Sequence, residues 1–149
     1  MGESPQNGDG IVVAYSFKQR FANPILYGLG LTPVGESDPL FKRQTIRADR
    51  KRHARPGEEL QLYTGMRTKH CHLIGRARCI SVDPIEIHVL AGRVIIRQTS
   101  IISGRALDDF ARADGFKMWG EMREFWHVEH PGQHVFTGVL IKWEPTSCR

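Results

Sequence analysis

Lys42, Thr45 and Arg47 stand close together in the stretch FKRQTIR, residues 41 to 47, and their types allow acyl chemistry. A threonine hydroxyl becomes a nucleophile once a base takes its proton, and an uncharged lysine amine is such a base. Burial in a cleft and the neighbouring guanidinium groups of Arg43 and Arg47 would both disfavour the charged form of Lys42. Side chains alternate along a strand, so Thr45 and Arg47 share a face and Lys42 belongs in the turn before it. From a turn its long stem can swing back to Thr45. The same spacing also describes a surface lysine beside a strand threonine.

The surrounding charge is focused. Lys42, Arg43, Arg47, Arg50, Lys51, Arg52 and Arg55 face a single anion, Asp49, within residues 42 to 55, an excess larger than the +5 of the whole chain. Such a cluster attracts phosphate-bearing partners through its local potential and through counterion release. A solvated basic loop without a partner has the same composition.

The elements that must position these residues fit one domain, since 149 residues with 40% hydrophobic and 25% charged content can bury one continuous core. No apolar run approaches the roughly 20 residues of a membrane span, so no membrane partner is expected. Residues 1 to 10 have no cationic start, apolar block or cleavage site and read as a flexible tail, with Gln6 where myristoylation would need a hydroxyl. Cys71, Cys79 and Cys148 show no CxxC spacing and leave one thiol over, which fits a reducing, cytoplasmic setting. No metal is expected: His127 and His130 are cut off from His134 by Pro131-Gly132, and His70 and His72 flank Cys71 on the opposite face of a strand.

Residues 11 to 16, IVVAYS, read as a strand, and FKQRFANPILYG as a helix that Pro24 kinks or restarts. Residues 29 to 40 have loop chemistry and enough length for a lid. RQTIR, ELQLYTG, HCHLIGRARCISV, IEIHVLA and RVIIRQT read as separate short strands divided by Pro-Gly, Asp-Pro and Ala-Gly signals. RALDDFARADGF and KMWGEMREFW read as two helices parted at Asp114-Gly115, the first with Ala106, Leu107, Phe110 and Ala113 on one face. The aromatic stripe Trp119, Phe125 and Trp126, and Trp143 in the closing strand HVFTGVLIKW, read as core. The expected class is α+β: a small curved sheet or barrel of about five to seven strands covered by helices.

FKRQTIR resembles the entry motif of the ASCH family, a branch of the PUA-like barrels, whose pattern is roughly G-x-K-x-x-T-x-R. SFKQRF with ILYG, PGEELQLYTG, ADGFKMWGEM and PGQHVFTGVLIKW resemble successive segments of the same family, so the likeness covers nearly all of residues 11 to 143 and implies a domain from 11 to 145. The resemblance implies a PUA-like β-barrel. It also implies a metal-independent amidohydrolase that removes the acetyl group from N4-acetylcytidine without a cofactor. By that likeness Lys42 and Thr45 are catalytic, and Asp114 takes the place of a distant glutamate. Thr45 would attack the acyl carbonyl, Lys42 would act as base and then acid, and Arg47 would hold substrate or oxyanion. Other members of the family are linked to RNA. The alternative is therefore an RNA-binding or RNA-cleaving module, in which Arg43, Arg47, Arg50, Lys51 and Arg52 meet phosphates and Tyr63 and Lys69 add a stacking platform and a further phosphate contact.

Overall fold

The computed structural model describes residues 11–50 and 52–146; the expected tail at 1–10, Lys51 and Cys148 lie outside them. The chain is α+β. Strand β1 (Val12–Phe17) leads through a 3₁₀ turn (Gln19–Phe21) into helix α1 (Ala22–Leu29). Strands β2 (Gln44–Arg47), β3 (Glu59–Thr64), β4 (His72–His88), β5 (Arg93–Ile96) and β6 (Ser100–Ser103) follow. Helices α2 (Ala106–Ala113) and α3 (Trp119–Glu129) precede the last strand, β7 (Val135–Pro145).

Pro24 falls in the first turn of α1, where a missing amide hydrogen leaves no helix bond unmade, so the chain restarts there as an α-helix after the 3₁₀ turn. In β1 the residues Val13, Tyr15 and Phe17 alternate inward, and Leu60, Leu62 and Thr64 do the same in β3. β1 pairs with β3 in parallel; every other ladder is antiparallel. The core is built on Tyr15, Ile25, Leu60, Leu62, Ile87, Met122, Leu140, Ile141 and Trp143. Trp143 is thus core, as expected.

Two boundaries differ from the sequence reading. HCHLIGRARCISV and IEIHVLA are not separate strands: β4 runs unbroken through Asp83-Pro84. The Pro84 carbonyl accepts from the Arg97 amide at 2.9 Å, so the proline nitrogen faces the β5 side and the β7 ladder is undisturbed. The segment RVIIRQT ends early instead. Arg97 and Gln98 take positive φ of 57° and 67° and turn the chain into β6. On α2 the inward face is Leu107, Phe110 and Ala111, with Ala106 exposed.

β4 is the spine of a seven-stranded mixed sheet, with β3 and β5 along one edge and β7 along the other; β2 adds on to β7. No ladder joins β1 to β2 among the described residues, so the hydrogen-bonded sheet does not close into a barrel. β2, only four residues long, is linked to β1 by a side chain: Arg47 Nη2 donates to the Ser16 carbonyl at 2.7 Å. Among the described residues no helix is long and apolar enough to cross a membrane.

Candidate active site

Lys42 is clamped by its main chain. Its amide donates to the Pro24 carbonyl in α1 at 3.0 Å, and the next amide, Arg43, donates to the Ala113 carbonyl at the end of α2 at 3.2 Å. The Arg43 carbonyl accepts from the Trp143 amide of β7 at 3.0 Å. Three elements therefore hold the two residues before β2. Gly28 permits the approach, because a Cβ there would lie 2.6 Å from the Lys42 carbonyl oxygen.

The side chain of Lys42 runs inward and is only 2% exposed. Its Nζ donates to the main-chain oxygen of Asp114 at 2.5 Å and lies 3.8 Å from Asp114 Oδ1. Asp114 follows the last residue of α2, where unpaired carbonyls point outward and attract a cation. Gly115, at φ +100°, turns the chain there, and a Cβ on it would lie 3.1 Å from Lys42 Cδ. Phe17 and Phe21 face the ammonium with ring centroids 5.5 and 4.7 Å away. Gln44 Nε2 donates to Asp114 Oδ1 at 3.3 Å.

Thr45 and Arg47 share one face of β2, as strand alternation requires, and Arg47 Nε donates to Thr45 Oγ1 at 3.2 Å. The Arg47 guanidinium lies over the rings of Phe17 and Tyr15, at 4.7 and 5.3 Å. In this resting arrangement the Lys42 ammonium is engaged by Asp114 rather than by Thr45.

Burial dominates the electrostatics. It lowers the Lys42 pKa to about 8; Asp114 opposes the shift, and the guanidiniums of Arg47 and Arg20 add to it. Arg43, expected to contribute, points elsewhere. Burial raises the Asp114 pKa, against the pull of Lys42, the Gln44 hydrogen bond and Arg47. Burial also lowers the Arg47 pKa. A lysine with a pKa of about 8 is a usable base near neutrality.

Lys42, Thr45, Arg47 and Asp114 line one cavity of about 300 Å³ between β1, β2 and the helices. Phe17, Phe21, Phe116, Phe125, Trp126 and Phe136 supply its apolar walls, and Ser16, Lys18, Glu129 and His130 its remaining polar side chains. Cavities of this size with apolar walls and a few convergent polar groups suit small ligands.

Of the other sequence-derived candidates, Arg43, Arg50, Arg52, Tyr63 and Lys69 are not at this cavity. Arg43 Nε donates to the Gly28 carbonyl at 2.8 Å. Arg50 Nε donates to the Arg52 carbonyl at 2.7 Å, with its guanidinium over Tyr15 at 4.9 Å, and Arg52 Nη2 grips both carboxylate oxygens of Glu58 at 2.9 and 2.8 Å. The Tyr63 hydroxyl donates to Gln61 Oε1 at 3.0 Å, and Lys69 is exposed in the turn after β3. The loop at 29 to 40 contributes no residue to the cavity wall, so it is not a lid over it.

Sequence reasoning missed Gln44, which holds Asp114, and Arg20, which reaches the site across the rings of Phe21 and Phe116 at 5.1 and 4.9 Å. No spacing signal marks either. It also assigned Phe125 and Trp126 to the core alone, whereas helical spacing lets one aromatic serve both core and cavity wall. No group of three His, Cys, Asp or Glu side chains is placed to hold a metal among the described residues. Cys71 and Cys79 are free thiols, Cys79 with its pKa raised to about 11 by burial. No family model, curated protein or solved structure matches this chain.

Proposed function

We propose that this protein is an ASCH-type amide hydrolase that removes the acyl group from N4-acetylcytidine or a related N4-acylated cytosine nucleoside. The observation that carries the reading is the convergence of Lys42, Thr45, Arg47 and Asp114 on one aromatic-walled cavity, with Lys42 buried and its pKa lowered to about 8. The resemblance of FKRQTIR and DGF to the family pattern supplies the substrate class.

The chemistry follows from the donors present. A neutral lysine amine keeps one N–H on the Asp114 carbonyl and offers its lone pair to the Thr45 hydroxyl. Thr45 Oγ1 attacks the acyl carbon as Lys42 takes its proton, and the Arg47 guanidinium faces the developing oxyanion. Collapse breaks the bond from acyl carbon to N4, and Lys42 returns the proton to the departing amine. Water, deprotonated by Lys42, then cleaves the threonyl ester, releasing a carboxylic acid and restoring Thr45. Asp114 positions the amine throughout.

Release of cytidine from N4-acetylcytidine by purified protein tests this directly. Lys42→Ala and Thr45→Ala are expected to lower kcat by about 10³-fold or more, and Asp114→Asn by about 10²-fold. Turnover within about tenfold of the unsubstituted protein in all three variants would end the assignment.

A further inference from the structure

A second cavity of about 520 Å³ adjoins the first, sharing Ser16, Phe17 and Lys18 at the end of β1. Its remaining wall is Gln19, Thr64, Gly65, Thr68 and His70, with no acidic residue among them. The turn that forms its outer side is docked on β1, since the Met66 amide donates to Ser16 Oγ at 3.2 Å. It is also internally fixed: Thr68 Oγ1 donates to the Gly65 carbonyl at 2.7 Å and accepts from the His70 amide at 3.0 Å. Arg67 and Lys69 stand exposed on the same turn.

The contrast with the first cavity is chemical. One is walled by aromatic rings and suits a flat base; the other offers hydroxyl, amide, imidazole and ammonium groups. Thr64 is 5% exposed and lines this second cavity. Among the described residues Lys18 is held only by an exposed pair with Glu129 at 3.5 Å, which leaves its ammonium available to a stronger anion. Hydroxyl-bonding groups beside cations, joined to a base-sized apolar cavity, match the sugar and phosphate of a nucleotide.

Resting on the hydrolase reading above, we infer that the second cavity is a ribose-phosphate subsite, so that the ligand is a cytosine nucleoside 5′-monophosphate rather than the free nucleoside. Lys18 and His70 contact the phosphate, and Thr64 and Gln19 the sugar hydroxyls.

Titration calorimetry on the intact chain with cytidine, cytidine 5′-monophosphate and ribose 5-phosphate tests it. The monophosphate is expected to bind about tenfold or more tighter than cytidine, and Lys18→Ala and His70→Ala to bring it down toward cytidine. Both residues are exposed, so the folded state should survive either change. Cytidine and its monophosphate binding equally, or an advantage that survives both substitutions, overturns the subsite while leaving the hydrolase reading in place. Ribose 5-phosphate binding that depends on Lys18 and His70, without any affinity for cytidine, supports the subsite and overturns the cytosine reading instead. Failure of all three probes to bind overturns the subsite.

Discussion

The pairing of Lys42 with Asp114 sets what each single substitution should do. Both groups are buried, and a buried ion loses several kcal/mol of hydration that only its partner offsets. Asp114→Ala leaves the ammonium in place without its carboxylate and is expected to cost about 3–5 kcal/mol of stability in urea unfolding. Lys42→Met combined with Asp114→Ala should recover much of that loss, because no charge is then left buried, and a double-mutant cycle would show the coupling. The lowered Lys42 pKa has two consequences of definite sign. Turnover needs the neutral amine, so kcat/KM should fall about tenfold per pH unit below an ascending limb near about 8. Arg20→Gln removes one of the cations that lower this pKa, so the limb should move to higher pH in a pH–rate profile. Folding stability responds as well. Between about 8 and 10.5 the unfolded chain binds a proton that the folded chain has released, so Lys42 makes stability rise with pH across that window.

At the scale of elements, the site depends on three chain segments approaching one another more closely than side chains would allow. Gly28 in α1 meets the Lys42 carbonyl, where an added Cβ would sit at 2.6 Å, so Gly28→Ala must push the helix and the Lys42 turn apart. It is expected to lower stability by about 1–3 kcal/mol and to lower turnover as well, read from thermal unfolding and nucleoside release on the same sample. The strand pattern of β1 and β3 was legible in the sequence because each buries alternate residues on one face. The spacing of Lys42, Thr45 and Arg47 was legible for the same reason. Asp114 reaches Lys42 from 72 residues along the chain, and only the family likeness pointed to it. The join at Asp83-Pro84 and the turn at Arg97 and Gln98 were not legible. A proline usually ends a strand, and tight hairpin turns usually carry Asn or Gly. Here the bond Pro84 cannot make is directed at Arg97, just past the end of the β5 ladder at Ile85–Ile96, where one missing amide hydrogen matters little. Pro84→Ala should therefore change stability by less than about 0.5 kcal/mol in urea unfolding.

For the whole molecule the decisive quantity is how much of the positive charge faces solvent. If all seven cations between residues 42 and 55 met phosphates, single-stranded RNA binding would weaken with salt at a slope of about 5, taking roughly 0.7 per contact. The fold has assigned most of them other tasks. Lys42 is buried on Asp114, Arg43 holds the end of α1, and Arg47 links β2 to β1 where no ladder runs. Arg50 and Arg52 fasten the segment before β3, the latter through both oxygens of Glu58. That segment is further tied down by His53, whose Nδ1 meets the Tyr15 hydroxyl at 2.9 Å while that hydroxyl accepts from the Ala54 amide at 3.2 Å. A guanidinium held by protein acceptors must give them up before it can serve a phosphate, so it adds little to net affinity. Filter binding of single-stranded RNA between about 50 and 200 mM salt is accordingly expected to be weak, with a slope of about 2 or less. A slope near 5 would mean that the cluster leaves these partners for RNA, and the module reading would then displace the hydrolase as the role of residues 42 to 55.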